Sequence, residues 1–335
     1  MKKIALITHS YHKFTKSGQI YADEIFGDKS KFKIDYFFND EWNGNSKFEK
    51  FNSKIDGYDL VLIVQLISST LLKNINCKNI VFVPMYDHSR NWGMNEWLHV
   101  KGLKILSPST GIYKALRKFG LNSLKIKYYP EPDEYREQDF SKIFFWNRVQ
   151  TLDYKMILTL FKKYKFTNLN IHNNHDPNHT PIQPSFTEIN DYNITFSDWF
   201  EHRRDYLKFL DSFGIYIAPR PFEGDGAAFI DSMKKGKIVI APNNHPYTDY
   251  IDQYTNGILY NLSDPEEIEF KNLDLKEISF QAHNSVVEGR KNWVNSLPEI
   301  HDYIFNNESS SNNLKFESKE KIFLIKKLLK SYLKK

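Results

Sequence analysis

Cysteine is nearly absent: the 335 residues contain one, Cys77. No intramolecular disulfide and no cysteine zinc cluster can form, which suits a reducing, cytoplasmic setting. Long apolar runs are missing too. The first one, Ile4-Ala5-Leu6-Ile7, stops at Thr8-His9 and is too short for the core of a signal peptide. No stretch approaches the ~18 apolar residues of a membrane span. The body of the chain also lacks excess positive charge. The net charge is +5, and Lys315–Lys335 holds eight Lys against two Glu, a net +6, which leaves the remainder at −1. A nucleic-acid-binding body normally carries its own basic face, so no nucleic-acid partner is expected.

What is present is an alternation of strands and helices. Leu60–Gln65 (Leu-Val-Leu-Ile-Val-Gln) and Asn79–Pro84 (Asn-Ile-Val-Phe-Val-Pro) are continuous apolar runs, as parallel strands covered on both faces require. Strands are expected at Lys3–Thr8, Lys33–Phe38, Leu103–Leu106 and Lys125–Tyr128, with helices at Gln19–Phe26 and Thr110–Phe119. Tyr129-Pro130-Glu131-Pro132-Asp133 breaks the pattern, which then restarts at Lys142–Trp146 and continues through strands near 168, 193, 214, 237 and 257. Helices are expected at Tyr154–Tyr164, Trp199–Phe213, Gly226–Lys235, Gln281–Ser296 and Pro298–Phe305. The fold class is therefore α/β, with two doubly wound, Rossmann-like domains (1–133 and 140–305) facing a cleft. A polar linker (306–318) leads to a basic amphipathic helix (319–335), in which Ile322, Ile325, Leu328, Leu329, Tyr332 and Leu333 recur at helical spacing between lysines.

Gly214 to Tyr260 is the most informative stretch. It reads as a buried strand, a turn Glu223-Gly224-Asp225-Gly226, a helix opening at Ala227, a stop at Gly236, and another buried strand. Gly224 and Gly226 remove Cβ atoms where the backbone must turn and approach a ligand. The helix that follows turns free N–H groups toward that place, which favours an anion. Glu223 precedes the turn and Asp231 lies eight residues on, so both carboxylates can face one ligand and accept hydroxyls of a sugar or ribose.

This order, Phe-Glu-Gly-x-Gly, four residues, an acidic residue, then Ser-Met-x-x-Gly-x-Ile-Val-Ile-Ala, resembles the E-x7-E motif of retaining glycosyltransferases of family 4, with Asp231 in place of the second Glu. Asn256-Gly257-Ile258-Leu259 resembles the family's Asn-Gly-(Leu/Ile)-Leu segment. Asn147-Arg148 followed by Lys155 resembles its Gly-Arg…Lys pair, and Ser17-Gly18 stands where it has Gly-Gly. Tyr86-Asp87-His88 stands where it has His-Asp, and Ser107-Pro108-Ser109, Gly120 and Pro130-Glu131-Pro132-Asp133 follow its Ser…Gly…Pro-Asn-x-x-Asp run. The resemblance implies a GT-B glycosyltransferase. Its donor site would comprise Gly18, Arg148, Lys155, Glu223, Gly224, Asp225, Gly226, Ala227 and Asp231. Glu223 would contact the donor sugar, Asp231 the ribose, and Arg148 and Lys155 the diphosphate, neutralising charge on the leaving group in place of a metal; His88 would sit at the reaction centre. No metal or other cofactor is implied.

Plainer readings stand beside these. Glu223 and Asp231 could serve a helix terminus and a solvated helix face. Arg148 and Lys155 could be surface charges, Gly18 an ordinary turn, and His88, His9 and His12 structural histidines. His172, His175, Asp176 and His179 carry metal-ligand residue types, but on a loop rather than a helix. The expected function is sugar transfer with retention from a nucleotide-sugar donor to a glycan or lipid-linked acceptor, in surface polysaccharide synthesis. A GT-B nucleotide-sugar epimerase or hydrolase and a non-catalytic nucleotide-sugar-binding module are the alternatives. The 319–335 helix would hold the protein at an anionic membrane surface on the inner face, or dock on a protein.

Overall fold

The computed structural model describes residues 1–40 and 53–306. The expected tail helix and all of the linker except Asn306 lie outside the described residues. Among the described residues fourteen strands run β1 (Lys2–His9), β2 (Phe32–Asn39), β3 (Ile55–Asp56), β4 (Leu60–Val64), β5 (Ile75–Asn76), β6 (Ile80–Val83), β7 (Lys104–Ser107), β8 (Ser123–Lys125), β9 (Lys142–Trp146), β10 (Asn168–His172), β11 (Ile194–Ser197), β12 (Ile215–Ile217), β13 (Ile238–Pro242) and β14 (Ile258–Tyr260). They form two six-stranded sheets, ordered β2-β1-β4-β6-β7-β8 and β11-β10-β9-β12-β13-β14, and a two-stranded pair of β3 with β5. All the registered pairs are parallel.

Parallel pairing explains the apolar runs. In β4 every residue from Leu60 to Val64 is buried, because alternate side chains enter different cores. Leu60, Leu62 and Val64 pack with Ile4, Leu6 and Tyr21, while Val61 and Ile63 pack with Ala5, Ile7 and Trp97. The second sheet repeats the pattern. Ile143, Phe145 and Ile217 face the helix Tyr154–Leu160; Phe144 and Tyr216 face Phe229 and Ile230 of the helix Ala227–Met233.

The two helices expected at the C-terminal end are one, Leu275–Phe305, with Pro298 inside it. Proline removes one N–H and crowds the carbonyl four residues earlier. That carbonyl belongs to Val294, a residue on the exposed face of the helix. The helix joins the two halves. Ile278, Ala282 and Val286 pack in the second, and Trp293, Ile300, Tyr303 and Ile304 enter the core under the first sheet. Arg290, midway, is anchored on Glu24 at 2.6 Å and Glu131 at 2.9 Å.

In each sheet the strand order reverses beside a central strand, between β1 and β4 and between β9 and β12. Loops leaving the carboxyl ends on either side of such a point diverge and leave a crevice. In the second sheet those loops begin at Asn147 and at Ala218, which puts Arg148 and the Glu223 turn at the crevice.

Candidate active site between the two sheets

The turn after β12 begins with Ala218-Pro219-Arg220-Pro221. Tyr247 donates its hydroxyl to the Arg220 carbonyl at 2.8 Å, and Asn244 donates to the Pro221 carbonyl at 3.2 Å. These bonds aim the Arg220 side chain into the crevice mouth, where Glu223 follows. Gly226 takes φ +81, a left-handed value that glycine accepts readily, and an added Cβ would meet the Phe229 ring at 2.0 Å. The first domain closes on this turn. Tyr86 N–H donates to the Gly224 carbonyl at 3.3 Å, and a Cβ on Gly224 would stand 3.3 Å from both Asp87 Oδ1 and Met85 Cβ. Arg90 lies over the Phe222 ring at 4.2 Å.

Five charged side chains meet here. Arg220 donates through Nε and Nη2 to the two oxygens of Asp176, both at 2.6 Å. Arg148 donates through Nε and Nη2 to Asp176 Oδ1 at 3.0 and 2.7 Å. Arg220 Nη1 faces Glu223 at 3.7 Å and Asp87 at 3.9 Å. Glu223 is 14% exposed, and none of the described residues hydrogen-bonds its carboxyl. Burial pushes its pKa up to about 7 against the pull of Arg220 and Arg148, with Asp87 and Asp176 adding to the rise. Asp225 is pushed up to about 6, again chiefly by burial. Asp176 also resists ionisation through burial, but Arg220 and Arg148 outweigh this and hold it below the usual carboxylate range.

The anticipated anion position at the helix start is occupied from within, since Asp225 Oδ1 accepts the Ala227 N–H at 3.3 Å. Asp231 is buried inside the helix and ion-paired with Arg203 and, at 3.8 Å, with Lys234. Burial raises its pKa, and Arg203 and Lys234 oppose the rise. Lys155 does not join the cluster. It is exposed on the first turn of its helix, where its charge acts on Glu188, and Arg220 takes the place beside Arg148 expected for it. Gly18 is buried for a packing reason: a Cβ there would meet His12 Nδ1 at 2.1 Å and Thr8 Oγ1 at 2.3 Å.

His88 lies on the first-domain side, next to Asp87, with its ring 5.7 Å from that of Trp92. Burial lowers its pKa, and Asp87 opposes this. His9 and His12 lie with ring centroids 3.6 Å apart and planes tilted by 36°; burial and repulsion from a neighbouring histidine take their pKa values to about 4 and about 3. The His172–His179 loop uses its imidazoles for structure: His172 bonds Ser197 Oγ at 3.0 Å and His175 donates to the Asn147 carbonyl at 2.6 Å. Among the described residues no three His, Cys, Asp or Glu side chains are placed to hold a metal. The sequence gives no role to Arg220 and shows Asp176 only among metal-ligand residue types on a loop, with no metal implied; an arginine between two prolines at the end of a buried strand was the signal available.

Two all-parallel, doubly wound sheets facing a crevice, joined by a C-terminal helix that returns to the first, constitute the GT-B fold, and the chain has it. Solved structures agree. A glycosyltransferase from Rickettsia africae superposes with TM-score 0.58 at 15% identity over 91% of this chain and 99% of its own. HepE from Anabaena, in complex with UDP and glucose, gives 0.58 at 13% identity over 89% and 100%. TarM gives 0.54 at 16% identity over 74% of this chain, which spans 55% of TarM. No protein-family model matches the sequence, and no curated protein is similar enough to count as a match.

Proposed function

We propose that the protein is a glycosyltransferase that transfers a sugar from a nucleotide-sugar donor to a glycan or lipid-linked acceptor with retention, in the synthesis of a surface polysaccharide. The observation that carries this reading is the Glu223-Gly224-Asp225-Gly226 turn at the switch point of the second sheet, with two guanidiniums beside it and the first domain closed on it. Ligands of open parallel sheets occupy that position. HepE, of the same fold, is described with UDP and with glucose.

On this reading Arg148 and Arg220 face the diphosphate and neutralise charge that develops on the leaving group, so no metal is required. Glu223, half ionised near neutrality, accepts or donates a hydrogen bond at a donor-sugar hydroxyl. Asp231 turns from Arg203 to the ribose. His88 and the neutral pair His9 and His12 line the acceptor side, and the 319–335 segment supplies attachment to an anionic membrane surface. The test is thermal stabilisation by UDP, GDP, dTDP and CMP in EDTA. One nucleotide is expected to raise the melting temperature in proportion to the logarithm of its concentration. A flat response to all four would remove the donor site from this turn.

A further inference from the structure

Asp176 belongs to the loop after β10, yet it is the side chain on which both arginines converge. Its own position is fixed three ways. Its N–H donates to the Arg148 carbonyl at 2.9 Å, its carbonyl accepts the His179 N–H at 3.1 Å, and the neighbouring His175 is tied to the Asn147 carbonyl. The carboxylate takes four N–H bonds, two from each guanidinium.

Arg220 has three carboxylates within 4 Å but gives its bidentate edge to one. Asp176 receives both 2.6 Å bonds, while Glu223 and Asp87 stay at 3.7 and 3.9 Å from Nη1, beyond hydrogen-bond reach. A guanidinium fork is planar, so the edge bonded to one carboxylate is lost to another. We propose that Asp176 is a positioning residue: it holds the guanidiniums of Arg148 and Arg220 together as one fixed pair and keeps Arg220 from closing onto Glu223. Without a shared carboxylate the two cations would repel, and the nearest free acceptor for Arg220 would be Glu223, three residues along its own loop. The role in transfer rests on the donor-site reading; the geometry does not. On that reading, Asp176 presents a ready two-cation pair to the diphosphate and leaves Glu223 unbonded for the sugar.

The groups that act on Glu223 are Arg148 after β9, Asp176 after β10, Arg220 on its own loop and Asp87 from the first domain, with the Tyr216 and Tyr247 hydroxyls sensing its charge from β12 and the helix Tyr247–Tyr250. The experiment follows the Glu223 side-chain carboxyl by 13C NMR against pH, assigned through Glu223→Gln. In Asp176→Asn, Arg220 is released and one negative charge is removed, so the Glu223 midpoint is expected to fall by at least about one pH unit, the usual effect of a cation at contact distance. Adding Arg220→Gln to that variant should bring the midpoint back up. An unchanged or higher midpoint in Asp176→Asn overturns the proposal. A measurement on the unaltered protein guards against a variant that does not fold: the Nε–H protons of Arg148 and Arg220 should both exchange slowly, and exchange of Arg220 at the solvent rate overturns it equally. UDP titrated into the same sample separates the two ideas. Absence of binding by UDP and, titrated in the same way, by GDP, dTDP and CMP contradicts the donor-site reading, whereas the Glu223 midpoint needs no ligand and decides the role of Asp176 alone.

Discussion

Replacing Glu223 by Gln should stabilise the protein above neutral pH and leave it unchanged in acid. The buried carboxyl has no hydrogen-bond partner among the described residues, and its pKa is raised from an ordinary 4.5 to about 7. The folded state therefore favours the protonated form. The stability this confers is fully present below pH 4.5 and is lost as pH rises through about 7. At ~1.4 kcal/mol per pH unit, the loss comes to about 3 kcal/mol by pH 8. Glutamine imitates the protonated carboxyl and does not titrate. Relative to the natural protein, Glu223→Gln should gain about 3 kcal/mol at pH 8, or about 4 °C in melting temperature for a chain of this size, and almost nothing at pH 4.5. Urea unfolding at the two pH values reads the difference. A gain of equal size at both, or none at either, would refute the argument, since Asp225, also raised, titrates in both proteins and cancels. Turnover should fall in the same variant, so that stability and activity move in opposite directions.

Arg203→Ala leaves the 7%-exposed carboxylate of Asp231 with only Lys234; because Arg203 itself is 57% exposed, the expected cost is about 1–2 kcal/mol, read by urea unfolding. Gly226→Ala forces a left-handed residue against the Phe229 ring and should cost at least about 2 kcal/mol, with loss of nucleotide-induced thermal stabilisation even where the fold survives. Asp249→Ala removes the carboxylate that accepts the first-domain Thr110 N–H at 2.9 Å and contacts His245 at 3.3 Å. The two halves should then open, measured as a larger radius of gyration in solution scattering with both halves still folded.

Much of the fold was legible because parallel strands buried on both faces must be apolar at every position, as Leu60–Val64 and Ile238–Pro242 are. Glycines and prolines marked the turns between them. Of the candidate residues, Glu223 and the two glycines of its turn were legible as a local motif, and the structure brings that turn against the first domain. The site was illegible where partners come from different loops. Asp176 joins Arg148 and Arg220 across 28 and 44 residues, and periodicity says nothing about such a meeting. The exposed position of Lys155, away from the cluster, was illegible for the same reason: its spacing from Arg148 was visible, but not the direction in which its helix turns. Pro298 read as a break because proline disfavours a helix interior, yet the helix Leu275–Phe305 runs through it.

The most direct test of the central claim measures release of the free nucleotide from UDP-, GDP-, dTDP- and CMP-activated sugars in EDTA, with Glu223→Gln and Arg220→Gln alongside. Slow hydrolytic release from one nucleotide class, abolished in both variants, is the predicted result. No release and no binding with any of the donors, or release that persists undiminished in both variants, would contradict a donor site at the Glu223 turn.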